Sequence, residues 1–256
     1  MRSLRVLALG WVYHMKMVMR SSFDGLLAIL YPLFFATVAF FMFRAGDDGK
    51  SLLYASLGAA VMGIWSSTST SAGSAMQRER WHGTLELLVA APVHFALVLL
   101  PVTVAMTTMG LYSMVATLFW GRVLFGIEVT IEHPLLFAIS VLATVLAIGM
   151  AGFLLAVSFV RYRTAWALGN MLEYPVWLIC GFLVPLTLFP DWVRPISWAL
   201  APTWGMNAIR ESSLGGSPLP DVIVCLLLGG VYTVVGVLIV ESVLRSARRN
   251  AALSLA

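Results

Sequence analysis

The stretch Met76-Gln-Arg-Glu-Arg-Trp-His-Gly-Thr-Leu-Glu-Leu-Leu-Val-Ala-Ala-Pro92 sets Arg78, Glu79, Arg80, His82 and Glu86 between two apolar runs, each long enough to cross a bilayer. Gly83-Thr84 interrupts the segment and Pro92 closes it, which predicts a short helix lying across the membrane surface. Charges on an element that joins two spans are costly near lipid unless they face water or a partner. The plain alternative is a solvated surface helix, the usual fate of a charge run. Position favours docking: the loop joins two spans, and Leu85-Glu86-Leu87-Leu88 offers an apolar edge to a soluble protein.

The surrounding chain is far too apolar for a soluble domain. Hydrophobic residues make up 60% of it and charged residues 11%, where a soluble domain carries about 25% charged. Mean hydropathy is +0.92. These values predict an all-α, polytopic membrane protein. Six transmembrane helices are expected at about 24–43, 52–75, 94–119, 135–159, 166–188 and 221–241, with Asp24 as N-cap of the first and a tight polar turn at 44–50. The stretches between them reach only ~30 residues, so the whole of 1–256 is expected to form a single transmembrane domain.

Two further segments do not fit a span. Residues 3–20 carry Leu4, Leu7, Trp11, Met15 and Val18 at helical spacing, interrupted by Arg5, His14, Lys16 and Arg20. They predict an interfacial helix, and the missing small-x-small site argues against a cleaved signal peptide. Residues 189–220 hold Pro190, Pro195, Pro202, Pro218 and Pro220 among Trp192, Trp198 and Trp204. Prolines forbid one long helix and tryptophans prefer the interface, so short re-entrant helices are expected in the outer leaflet between spans five and six.

The basic residues orient the chain. With the N-terminus in the cytoplasm, the inside segments hold Arg2, Arg5, Lys16, Arg20, Arg78, Arg80, Arg161, Arg163, Arg245, Arg248 and Arg249, eleven of the sixteen Lys and Arg. Asymmetry of this kind places both termini and the 76–92 segment inside.

Several function classes find no support. Cys180 and Cys225 lie in apolar runs and read as small hydrophobes, and the four histidines lack metal-ligand spacing. No solvated basic face suits nucleic acid. An intramembrane enzyme needs a catalytic constellation at span depth, and none is visible, so no catalytic residue is assigned. A non-transporting assembly scaffold remains possible on composition, but it leaves the charged segment unexplained.

Span two carries Ala55, Ala59, Gly63, Ser67, Ser71 and Ala75, a small residue at every fourth position that invites close helix packing. Its Ser66–Ser71 hydroxyls either satisfy their own backbone carbonyls or line an aqueous path. Glu173 stands about 12 Å into span five at 1.5 Å per residue, on a face with Asn170, Trp177 and Gly181. An ionisable group at that depth is a candidate for a translocation path or gate. The alternatives are a structural hydrogen bond to a neighbouring span and a pair with Arg161 or Arg163. Glu241, near the end of span six, reads as interfacial.

Glu79, Arg80, Gly83, Thr84, Leu85, Glu86, Leu88 and Pro92 together resemble the cytoplasmic coupling segment of ABC-2 type permeases, the membrane half of ATP-binding-cassette exporters. Pro190-Asp-Trp192, Pro202-Thr-Trp204 and the Asn207 to Arg210 stretch are similar to the family's elements between its last two spans. The resemblance implies an ATPase-coupling role for Arg78, Glu79, Arg80, Gly83, Thr84 and Glu86. It implies a multi-pass permease of the cell inner or plasma membrane, with no cofactor of its own. ATP and magnesium would sit on a separate cytoplasmic ABC ATPase, since the chain has no Gly-x4-Gly-Lys-Ser/Thr loop. A second permease copy, identical or related, would complete the path. Small outer loops look like those of the drug and antibiotic exporters; exporters of lipid, glycolipid or polysaccharide are the nearest alternative.

The orientation can be tested directly. A cysteine placed at position 82 should react with thiol reagents only after the membrane is opened. Labelling of intact cells by an impermeant reagent would overturn the topology.

Overall fold

The computed structural model describes residues 2–20, 26, 30, 33–34, 36–41, 49–81, 83, 94, 96–128, 130–159 and 165–250. Among them the chain is all-helical: α1 (Arg2–Arg20), α2 (Gly49–Trp81), α3 (Ala96–Phe125), α4 (Pro134–Phe159), α5 (Ala165–Ile179), a 3₁₀ turn (Leu186–Leu188), α6 (Val193–Trp198), α7 (Ala201–Leu214) and α8 (Leu219–Asn250). Asp24, the start of the first expected span, lies outside the described residues, as does most of the 44–50 turn. At the end of that turn the chain is already helical, because α2 begins at Gly49.

Ala96–Phe125, Pro134–Ser158 and Leu219–Ser242 are each long and apolar enough to cross a membrane. Much of the expected span 24–43 lies outside the described residues, while 52–75 and 166–188 depart from that pattern for different reasons. At 33 residues α2 is the longest helix described, yet its glycines, serines and threonines dilute its hydropathy. Of these, Ser56, Gly58, Gly63, Ser66, Thr68 and Ser69 turn inward. Ala55, Ala59, Ala60, Ser66, Thr68 and Ser69 are all buried. The helix packs against α3, α4, α5 and α7, so it forms the centre of the molecule. Leu57, Val61, Ile64 and Trp65 join Met114, Ile148, Phe182, Met206 and Ile209 in the main core cluster.

Close approach is what the small residues permit. A Cβ on Gly110 of α3 would lie 2.7 Å from the Ile64 Cα, so the two helices meet backbone to backbone there. Thr68 Oγ1 donates to the Ile64 carbonyl at 2.8 Å and meets Thr107 Oγ1 at 2.9 Å. Ser67 and Ser69 bond to carbonyls of the preceding turn.

The expected fifth span, 166–188, is cut short. Helix α5 stops at Ile179, followed by Gly181 in the left-handed region at φ 70°. Gly181 N–H donates to the Leu178 carbonyl at 3.1 Å and Phe182 N–H to Trp177 at 3.2 Å. This is the double hydrogen bond of a glycine helix cap, which ends a helix whatever the hydropathy beyond it. Gly181 therefore terminates the Glu173 helix and does not share its face.

The proline-rich segment forms two short helices, α6 and α7. At 14 residues, α7 spans about 21 Å, less than the ~30 Å of a bilayer core. It is tied to α8 and α6: Tyr232 donates to the Ala199 carbonyl, Cys225 lies 3.4 Å from Ala201 O, and Thr203 Oγ1 donates to Ser197 O at 2.8 Å. At the other end of the chain, α1 is amphipathic and packs on α3, with Trp11 Nε1 donating to Thr108 Oγ1 at 3.2 Å.

Gly110→Leu should therefore destabilise the protein by about 1–3 kcal/mol or more, because α3 must leave α2. Gly230→Ala is the control, since a Cβ there meets nothing within 4 Å. Thermal melting of both in detergent checks this, with loss expected only for Gly110→Leu.

Candidate functional site

Two buried ionisable residues mark the interior. Helix α5 presents Gly169, Glu173, Val176 and Trp177 inward, all buried, with Asn170 half-buried on the same side and Cys180 buried just past its end. Their spacing of three and four residues is one helical face, and it meets α2. Met171 at 72% exposure and Tyr174 at 50% lie on the opposite face. Glu173 is only 4% exposed, and Ser66 Oγ on α2 donates a hydrogen bond to its Oε1. The Trp177 indole is stacked edge-on against Tyr174, 5.1 Å between ring centres. Three residues expected to act together, Asn170, Glu173 and Trp177, thus do share a face. Ser66 is the partner that sequence reasoning did not single out; its signal was the hydroxyl run on span two at the depth of Glu173. Arg161 and Arg163, the alternative partners, lie outside the described residues.

The second buried charge was missed. Arg210, named from the sequence only as the end of the Asn207 to Arg210 stretch, is 7% exposed on the inner face of α7. Its Nη1 donates to the Gly181 carbonyl at 2.7 Å and its Nη2 to the Phe182 carbonyl at 2.6 Å. The guanidinium carbon stands 3.3 Å above the centre of the Tyr54 ring on α2. Gly58, one turn along α2, faces the same spot, and a Cβ there would fall on the Phe182 carbonyl oxygen. Two carbonyls and an aromatic ring receive this cation. Arg210 was legible only as part of a motif, because nothing local marks a cation as buried.

The charged segment is described in part. Residues 76–81, including the backbone of Arg78, Glu79 and Arg80, are the last turns of α2 rather than the start of a separate surface helix. The break falls at Gly83, whose φ of 67° lies in the left-handed region. Thr84, Glu86 and the rest of the segment to Pro92 lie outside the described residues.

Comparison with known families supplies the deciding observation. The family model of the ABC-2 type transporter matches residues 6–214, most of the chain. The protein belongs to the ABC-2 type transporter family. A search of curated proteins found no match. As an ABC-2 permease the chain is a membrane-embedded transport subunit of an ABC transporter, and hydrolysis of ATP belongs to a partner ATPase. The match runs from within α1 to Leu214, so the 3₁₀ turn, α6 and α7 are parts of the family's own domain.

In this permease the Glu173 carboxylate is part of the packing as well as a candidate for function. Glu173→Leu should lower thermal stability, since it strands the Ser66 hydroxyl, at a cost of about 1–3 kcal/mol. Glu173→Gln keeps an acceptor for Ser66 and should melt close to wild type. A melting comparison of the two checks the hydrogen bond.

Proposed function

We propose that this permease exports an amphipathic substrate, a drug, an antibiotic or a compound of similar character, through a path formed by two permease copies. The reading includes six spans, both termini in the cytoplasm, and a cytoplasmic ABC ATPase carrying ATP and magnesium. The segment 76–92, with Arg78, Glu79, Arg80, Gly83, Thr84 and Glu86, is its docking element. Glu173, with Asn170 and Trp177, lies along the path or its gate.

One observation carries the reading. Helix α2 is continuous from Gly49 to Trp81, so a single rigid element bears Ser66, the partner of Glu173, and ends in the charged segment before Gly83. From Ser66 to Trp81 the distance is about 22 Å at 1.5 Å per residue. A displacement at a docked ATPase would reach the buried carboxylate through packed helix alone. Export, rather than import, rests on the likeness of the motifs to exporters. Drug-like cargo is favoured over lipid, glycolipid or polysaccharide by the small outer loops. An intramembrane enzyme or a scaffold gives no reason for a charged end on a packed span.

Glu86→Ala and Gly83→Leu should leave the permease inserted but weaken ATPase association or uncouple hydrolysis from export. Loss of a charge-assisted contact costs about 1.5–3 kcal/mol, enough to change occupancy more than tenfold. Unchanged co-purification and unchanged export in both variants would refute the docking role. Glu173→Gln should reduce transport with ATPase association intact; wild-type transport in Glu173→Gln and Glu173→Leu alike would remove Glu173 from the path.

A further inference from the structure

Helix α5 is gripped unevenly. Its inward face packs on α2, while Met171, Leu172, Tyr174 and Leu178 are exposed at 72%, 38%, 50% and 48%. Neighbours on one side alone do not settle how far a helix slides or turns. At its C-terminal end, however, the turn that closes α5 uses the Val176, Trp177 and Leu178 carbonyls and leaves those of Gly181 and Phe182 outside its own bonds, where a helix C-terminus favours a cation. The guanidinium of Arg210 arrives there from α7 and takes the Gly181 and Phe182 carbonyls together, at 2.7 and 2.6 Å. A planar two-pronged donor fixes both position and direction, which a lysine ammonium does not. The Tyr54 ring, 3.3 Å below the guanidinium, ties the same group to α2. Gly58 leaves room for the Phe182 carbonyl against α2, so the junction of α2, α5 and α7 closes on one side chain.

We propose that Arg210 is a positioning residue: by capping α5 from α7 while resting on α2, it sets the register in which Glu173 meets Ser66. Gly181 lies eight residues beyond Glu173, about 12 Å along the axis. Helix connects Glu173 to Ile179, and the cap bonds join that helix to Gly181 and Phe182. Displacement of the capped end is therefore carried to the carboxylate. The Ser66 bond tolerates little of it, since an O–H···O bond spans only about 2.5–3.0 Å between its oxygens. A slip of ~1 Å at the cap is enough to break it. Arg210 touches neither Glu173 nor Ser66, and acts on them through α5 and α2.

The transport arm of the test rests on the reading of Glu173 as a path residue; the spectroscopic arm does not. The permease, purified with its ATPase in lipid nanodiscs, is compared by infrared spectroscopy with Arg210→Lys, Arg210→Met and Tyr54→Leu. The Glu173 carboxyl band is identified by its loss in Glu173→Gln, and Ser66→Ala marks its position without the hydroxyl donor. We expect Arg210→Lys and Tyr54→Leu to move the band toward the Ser66→Ala position, and transport to fall on the order of tenfold. A shifted band with wild-type transport supports the positioning role and sinks the path reading of Glu173. An unshifted band in every folded variant overturns the proposal, whatever transport does. So does a series in which no variant folds, for Arg210 then holds the fold together rather than the register.

Discussion

Close approach to α2 is the constraint on which the rest of this structure depends. Within a bilayer no water completes the hydrogen bonding of a buried group, so partners must come from neighbouring helices. Neighbours can supply them only if backbones come near, and that requires small side chains. Gly110 admits Ile64, and Gly58 admits the Phe182 carbonyl. The polar contacts follow from that proximity. Thr68 reaches Thr107, Ser66 reaches Glu173, and Tyr54 lies under Arg210. The residues that make α2 a weak hydropathy span also make it the hub.

The two buried charges are solved differently. Glu173 belongs to a helix whose outward face is apolar, and it receives one hydroxyl from the next helix. Arg210 receives two carbonyls and an aromatic face. Burying a charge without partners costs several kcal/mol or more, so each arrangement must hold its own geometry closely. The positions are linked because both use α5: one sits on its inward face, the other on the carbonyls beyond its end. A rigid helix held at two points by two neighbours is a more constrained object than either contact alone.

Membership of the ABC-2 family gives this arrangement a place in a machine with two kinds of subunit. A transport subunit must turn a change at a partner ATPase into a change inside the membrane. Packed helices do this well, since protein interiors transmit displacement rather than absorb it. Helix α2 reaches from the Tyr54 platform, past Ser66, to the charged turns before Gly83. Helix α7 bears on the same core through Met206 and Ile209. Both helices therefore address the face of α5 that carries Glu173.

Composition and spacing by themselves determined that the chain is helical and membrane-embedded, because a bilayer demands long apolar runs and tolerates few charges within them. Prolines 190, 195 and 202 likewise announced short helices in place of one long one, and Pro195 and Pro202 fall in the first turns of α6 and α7, where a missing N–H costs nothing. The common face of Asn170, Glu173 and Trp177 was legible as well, being a matter of helical period alone. Helix ends were less so. Hydropathy carries on through Phe182 and Leu183, while the chain turns at Gly181 because a left-handed glycine closes two cap bonds there. Which partner each buried charge takes was decided only by tertiary structure. Ser66 stands 107 positions from Glu173, and Gly181 stands 29 from Arg210. No local pattern encodes such distances; they exist because small residues on α2 let three helices converge. An arginine between tryptophans and serines reads as a loop cation until the fold brings two unsatisfied carbonyls and a tyrosine ring to it.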